Sequence, residues 1–574
     1  MSCLAISSRS STPTRSGVPR RSRGGGATFW PSSTPSPRTL WFLESAEIGR
    51  AAALSRRWRD VLAIVHTVSL DMDERPKQPI IYDEVDDDYM YSTEYINHPP
   101  ALWSSVVTGA LFGRSRRPAP APGPVPLRAL RVCLGVRLGY DSDQKTTVDQ
   151  WVTYALKHAG PDLELDLRLG RDPICKHPER AAHARRYEVK DVSRKPPETN
   201  ADDHSPHATD DEDGDDVGSS CEENFRGYGE YTVPWGVFSC PALRSLRLGA
   251  CRISPPAAFS MPWLEALRLT HVPDEEEHVQ RLISACPHLV DLTLEACGTV
   301  TTLSLLGNTH LRSLALRCCH KLAAVAINTS ELRSFDYRGA VPGNSFLTML
   351  GSSPSIMSFK VDICAVCVGE ATSEEELSTL GSFVQHFVST TKHLHLSCAF
   401  MGSCFARLPA FTSLRYLQLI GHVPRDGDDP AAAAAATSKI LCQAPNLQTL
   451  SLLFEVKRRN PNKYDPDEYD YDDRSEGQLL DAHLLNCNKY DTLDVPVASV
   501  AVPSCLRSRV RKINLLHYQG GRAQRTLVRF LVRNAEVLEK LYCGFAEGPL
   551  WIQKELKREI ERWAVNETTS KEFR

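Results

Sequence analysis

Leu289-Val-Asp-Leu-Thr-Leu-Glu-Ala-Cys297 is followed by Leu311-Arg-Ser-Leu-Ala-Leu-Arg-Cys-Cys319, the same phrase one step later. Both read Leu-x-x-Leu-x-Leu-x-x-Cys. Earlier copies are Leu243-x-x-Leu246-x-Leu248 and Leu264-x-x-Leu267-x-Leu269. Looser ones follow at Leu332/Phe335/Tyr337, Ile356/Phe359/Val361, Thr391/Leu394/Leu396, Leu414/Leu417/Leu419 and Leu447/Leu450/Leu452. The first four steps are 21, 25, 22 and 21 residues long. Leu-x-Leu alternation makes a short strand with one apolar face. One such strand cannot bury that face alone; stacked coils bury it together.

This is the period of leucine-rich repeats. It predicts an α/β solenoid with a curved parallel sheet, in which Leu243, Leu246, Leu248, Leu264, Leu267, Leu269, Leu289, Leu292, Leu294, Leu311, Leu314 and Leu316 build the core. Cys251, Cys297, Cys319 and Cys364 stand where the chain leaves each strand, a place that suits a small buried side chain. Pro241, Pro262, Pro287 and Pro445 stand two residues before a phrase and stop any preceding helical segment. Such placement of many of the 18 cysteines fits buried, reduced thiols and a cytoplasmic or nuclear setting.

The 574 residues suffice for more than one domain, and the formal net charge of −3 implies no bulk attraction to nucleic acid. No apolar stretch approaches ~18–20 residues, so no membrane span is expected. Residues 1–40 are rich in Ser, Pro, Arg and Gly, with no acid before Glu44, and read as a disordered tail. A transit peptide shares that composition, but no amphipathic apolar face accompanies it. Residues 71–125 read as a linker carrying an acidic run and a Pro-rich run, with a short helix between them at Leu102 to Phe112. The solenoid spans 126–500 and opens with Leu127-x-x-Leu130-x-Val132, a helix around Trp151, and the alternating Leu163, Leu165, Leu167 and Leu169. Acidic insertions interrupt it near 172–231 and 456–476 and read as solvated loops, since the calcium-loop spacing is not met.

Two flanking segments carry a resemblance. From 41 to 70 the chain reads as helix, and Ala53-Leu-Ser-Arg-Arg-Trp-Arg-Asp60 resembles the second half of an F-box. That module docks substrate receptors onto the Skp-type adaptor of SCF ubiquitin ligases. Its usual opening, a Leu-Pro-x-Asp-type turn and a Leu/Ile-rich first helix, has no counterpart upstream of Trp41. Sequencing the 5′ end of the transcript tests whether residues 1–40 are encoded in frame. At the other end, 503–574 resembles the FBD domain through Cys505-Leu, the Gly520-Gly521 turn and Phe530-Leu-x-x-Asn534-Ala. Physically this is one more strand plus helices that close the solenoid.

With the repeats between them, these segments resemble the plant F-box/FBD/leucine-rich-repeat family. The resemblance implies a non-enzymatic substrate-recognition subunit without cofactor. Leu54, Trp58, Val61 and Leu62 would face the Skp-type adaptor, with a cullin beyond it, and the repeats would hold a target protein. The alternative is a repeat-based binding scaffold uncoupled from ubiquitination. No catalytic motif is present, and the lone Cys364-x-x-Cys367 lacks the partner pair that zinc needs. A nucleic-acid reading rests on Arg507, Arg509, Arg511 and Lys512 and is opposed by the acidic insertions.

Overall fold

A computed structural model describes residues 66–72, 107–109, 111–112, 125–134, 142–170, 231–350, 355–363, 374–401, 405, 407–423, 431–454, 500–546, 550–564, 566 and 568–574. The chain divides into units Met1–Leu43 and Glu44–Arg574, and every described residue belongs to the second.

Fifteen parallel strands form one continuous sheet. In sheet order they begin β1 (Thr67–Met72), β2 (Leu127–Leu134), β3 (Ala159–Arg168), β4 (Leu243–Gly249), β5 (Ala266–Thr270) and β6 (Asp291–Glu295). Strand β7 (Thr302–Leu305) lies elsewhere, and the sheet continues with β8 (Ser313–Arg317). After β9 (Ala324–Ile327) come β10 (Ser334–Gly339), then β11 (Leu347–Met349) and β12 (Ser358–Ile363). The rest follow in chain order: β13 (His393–Phe400), β14 (Tyr416–His422), β15 (Thr449–Phe454), β16 (Lys512–Tyr518), β17 (Lys540–Phe545) and β18 (Ser570–Phe573). Strands β7, β9 and β11 form a second, three-stranded parallel sheet.

Register follows the repeated phrase. Leu246, Leu267, Leu292, Leu314, Phe335 and Phe359 stand opposite one another on successive strands, as do Leu248, Leu269, Leu294, Leu316, Tyr337 and Val361. A one-residue slip would turn every leucine out to water, so the apolar pattern specifies the register strongly. All twelve repeat-core leucines are buried. Where the phrase weakens, aromatics replace the leucines: Phe335 and Phe359 pack with Phe383 and Phe387, the closest ring centroids 4.0 Å apart.

The coils of β4, β5, β6 and β8 leave their strands through a left-handed residue: Ala250, His271, Ala296 and Cys318, all with φ between 50° and 54°. Their amides donate to the carbonyls of Thr270, Glu295, Arg317 and Arg338, the last or next-to-last residue of the following strand. Cys251 and Cys297 are fully buried just beyond, and Cys319 is partly so. The thiols of Cys297 and Cys319 hydrogen-bond to carbonyls of the preceding coil, Leu269 and Leu294. Cys364 and Cys367 lie outside the described residues.

Repeat length decides what fills the return path. The 25-residue step holds helix α2 (Glu276–Ser284), since α1 (Ser142–Lys157) belongs to the opening coil. Steps of 33 to 35 residues hold α3 (Glu374–Gln385) and α4 (Ala432–Cys442). Steps of 21 to 24 residues are too short for a two-turn helix between two reversals. Three of them run extended instead, as β7, β9 and β11, a second sheet that sequence analysis does not anticipate. Its edge at β7 is covered by α2, where Glu276 accepts from the amides and hydroxyls of Thr301 and Thr302, and Gln280 bonds both backbone groups of Ser304. Those hydroxyls and amides hold the Glu276 carboxyl down at about 2. Paired or covered edges do not recruit other strands.

Two boundaries differ from the sequence expectation. Thr67–Met72, at the end of the segment read as helix, is a strand that pairs with β2 and buries Val68. Tertiary pairing overrides the helical spacing there. The C-terminal segment adds three strands to the sheet, β16 to β18, rather than one. Its helices are α5 (Ser504–Ser508), α6 (Arg522–Asn534) and α7 (Leu550–Trp563). Helix α6 packs against α4 and α7 and buries Ala523 through Val528 without a break. Arg525 is therefore inside, ion-paired with Glu559 across the two helices.

Candidate functional site

The residues between the leucines point away from the core and make the open face of the sheet. Three rows run across the strands. The middle row reads Asp166, Arg247, Arg268, Thr293, Ala315, Asp336, Lys360, His395, Gln418 and Ser451. The row beside it, toward the strand ends, carries Arg168, Gly249, Thr270, Glu295, Arg317, Arg338 and Asp362.

These residues form a ladder of ion pairs from β2 to β12. Arg131 meets Glu164 at 2.7 Å, and Arg168 and Arg247 flank Asp166 at 3.0 and 3.8 Å. Glu295 is held by Arg268 at 2.6 Å and Arg317 at 2.7 Å, with the Thr270 hydroxyl donating at 3.1 Å. Arg317 also reaches Asp336 at 2.5 Å, and Lys360 lies 3.9 Å from the same carboxylate. Arg338 pairs with Asp362 at 3.3 Å. Burial alone would push the Glu295 carboxyl up, but hydrogen bonds and charge from Arg268 and Arg317 outweigh it and hold the group below its ordinary value.

The two signs lie at different depths. The side chains of Asp166 and Glu295 are 1% exposed, and those of Glu164, Asp336 and Asp362 are 17–21% exposed. The cations above them, Arg131, Arg168, Arg247, Arg268, Arg317, Arg338 and Lys360, are 30–45% exposed. Seven of the eight consecutive strands from β2 to β12 thus present one cation outward, braced from below by acids. An arginine so braced loses little side-chain freedom when it binds a ligand.

Beyond β12 the face changes character. The rings of His393 and His395 lie against Tyr416, and His395 Nδ1 is 2.5 Å from Gln418 Oε1. Burial, more than any neighbour, lowers the His395 pKa below its ordinary value. His395 stands within β13 with an uncharged partner.

In the sequence this face is visible only as the arginines between leucines in Leu246-Arg-Leu248, Leu267-Arg-Leu269 and Leu316-Arg317. Leu54, Trp58, Val61 and Leu62 lie outside the described residues. Arg507, Arg509, Arg511 and Lys512 are exposed, and Arg511 pairs with Glu539 at 2.6 Å.

Comparison with known proteins bears on the repeats and on the C-terminal end. Residues 224–367 match the family model described as the At1g61320/AtMIF1 LRR domain, and residues 499–542 match the FBD model. The chain is similar to the FBD-associated F-box protein At5g22730 of Arabidopsis thaliana, 22% identical over 359 residues. That match covers 56% of this chain and 66% of the relative. The repeats are thus similar to that LRR domain and the segment after them to the FBD, parts that make the chain similar to a plant FBD-associated F-box protein.

Proposed function

We propose that the protein is the substrate-recognition subunit of an SCF-type ubiquitin ligase. What supports this reading is the order of parts: a stretch at 41–70 whose sequence resembles half of an F-box, the repeats, then the segment that matches the FBD, in a chain similar to a protein named as an F-box protein. In this reading Leu54, Trp58, Val61 and Leu62 bind a Skp-type adaptor and, through it, a cullin. The open face of the sheet holds the target and brings its lysines near the ubiquitin-carrying enzyme. The contribution to ubiquitination is proximity, so the chain itself performs no chemistry. The proposed setting is the cytoplasm or nucleus.

Capture of purified full-length protein by a plant Skp-type adaptor tests this. The native chain should bind and Trp58→Ala/Leu62→Asp should not. A folded native chain that fails to bind would refute the ligase reading. It would favour the second one, a binding scaffold uncoupled from ubiquitination, which the missing Leu-Pro opening upstream of Trp41 motivates.

A further inference from the structure

We infer that the arginine array on the open face is a docking site for an extended, Asp/Glu-rich segment of the partner protein. The inference deepens the receptor reading above by naming the chemistry of the target. Three observations carry it. The first is the separation of charge by depth: Asp166 and Glu295 are buried, Glu164, Asp336 and Asp362 lie mostly covered, and what a ligand meets first is a file of six guanidinium groups and the Lys360 ammonium. Arg268, for instance, engages Glu295 through Nε and Nη2 while its side chain remains 37% exposed.

The second observation is the lane beside the file. On β4 to β12 the row toward the strand starts reads Ser245, Ala266, Asp291, Ser313, Ser334 and Ser358. All but Asp291 are small, so a polypeptide backbone can approach the sheet there, and beside Ser313, which bonds Asp291, the row offers the hydroxyls of Ser245, Ser334 and Ser358. The third is length. From β2 to β12 there are seven inter-strand steps of about 4.8 Å, about 34 Å in all, the span of roughly ten extended residues. A carboxylate at every second residue, about 6.8 Å apart, sets about five carboxylates over the seven cations. Arginine forks suit carboxylates at contact range.

A nucleic acid fits less well. The chain carries a net charge of −3, and the acids beneath the cations cancel much of their far field, on which a polyanion depends more than a carboxylate held by an arginine fork at contact range does.

The test is fluorescence anisotropy with the full-length protein and a labelled ten-residue peptide of alternating Glu and Ser. Its counterpart carries Gln for Glu, and a ten-nucleotide DNA strand serves as a third probe. The Glu peptide should bind at least about tenfold tighter than the Gln peptide, and added salt should weaken it. Arg247→Gln/Lys360→Gln removes two cations whose ion pairs are 3.8 and 3.9 Å long, so the fold should survive, as far-UV circular dichroism and a melting curve will show. Binding should fall roughly five- to tenfold. Lys512→Gln/Lys540→Gln, on the same sheet face but far from the array, should leave it unchanged. Equal binding of the two peptides, no binding of either, an unaffected double variant, or tighter binding of the DNA would each overturn the inference. Adaptor capture is measured separately, so failure here and failure of the ligase reading are distinguishable.

Discussion

Glu295→Gln probes the brace beneath the array. The native carboxylate accepts three hydrogen bonds from Arg268 and Arg317 and one from Thr270, while itself fully buried. An amide has one accepting oxygen, and its NH2 would confront an arginine. Bonds to charged groups contribute about 1.5–3 kcal/mol each. Both arginines are about one-third exposed and can rehydrate, and Arg317 keeps Asp336. An amide is also cheaper to bury than a carboxylate. These offsets bring the net loss to about 2 kcal/mol.

The sign of the pH dependence follows from the depressed carboxyl pKa. Its contribution is complete above the unfolded value of about 4.3 and is lost as the pH falls through the lower folded value. Urea unfolding at pH 7 should show the full deficit. The deficit should shrink below about pH 4, down to the lowest pH at which circular dichroism still reports the native sheet. Arg268→Gln should cost a similar amount, and the double variant less than the sum. A deficit under about 0.5 kcal/mol at pH 7, or one that stays constant with pH, would refute the brace.

Gly520→Ala should destabilise by about 2 kcal/mol or more, because φ is +79° and an added Cβ would lie 2.4 Å from the buried Leu556 side chain. Gly298→Ala, with open space around it, is the control, and equal urea midpoints for the two would count against this packing. Asn308→Ala removes the amide that donates to the carbonyls of Ile283 and Cys286 at the end of α2 and should cost about 1–3 kcal/mol by the same assay. Iodoacetamide at pH 8, read by mass spectrometry, should modify exposed Cys442 in the native protein. It should spare Cys286 and Cys505, which burial pushes up to about 12 and about 11. Equal labelling of all three would contradict the buried placement.

The solenoid was legible because its cause is local and repeated. Leu-x-Leu puts two side chains on one face of any strand, and a 21- to 25-residue period then leaves only stacking as a way to bury them. The sequence by itself therefore determined the strand positions, their parallel register and the inward direction of the leucines from Leu243 to Leu316. It also showed that the chain continues after Pro503 into a further strand and helices. Tertiary structure decided what depends on partners 20 or more residues away. Thr67–Met72 is a strand only because β2 offers an edge, and β7, β9 and β11 pair only because short returns stack. Arg525 is buried only because Glu559 on α7 meets it. The arginine array belongs to the same class: Arg268, Glu295, Arg317 and Asp336 come from four different strands, and no local pattern shows which charges are uppermost. Burial in a shared coil, not spacing along the chain, puts the acids below and the arginines above.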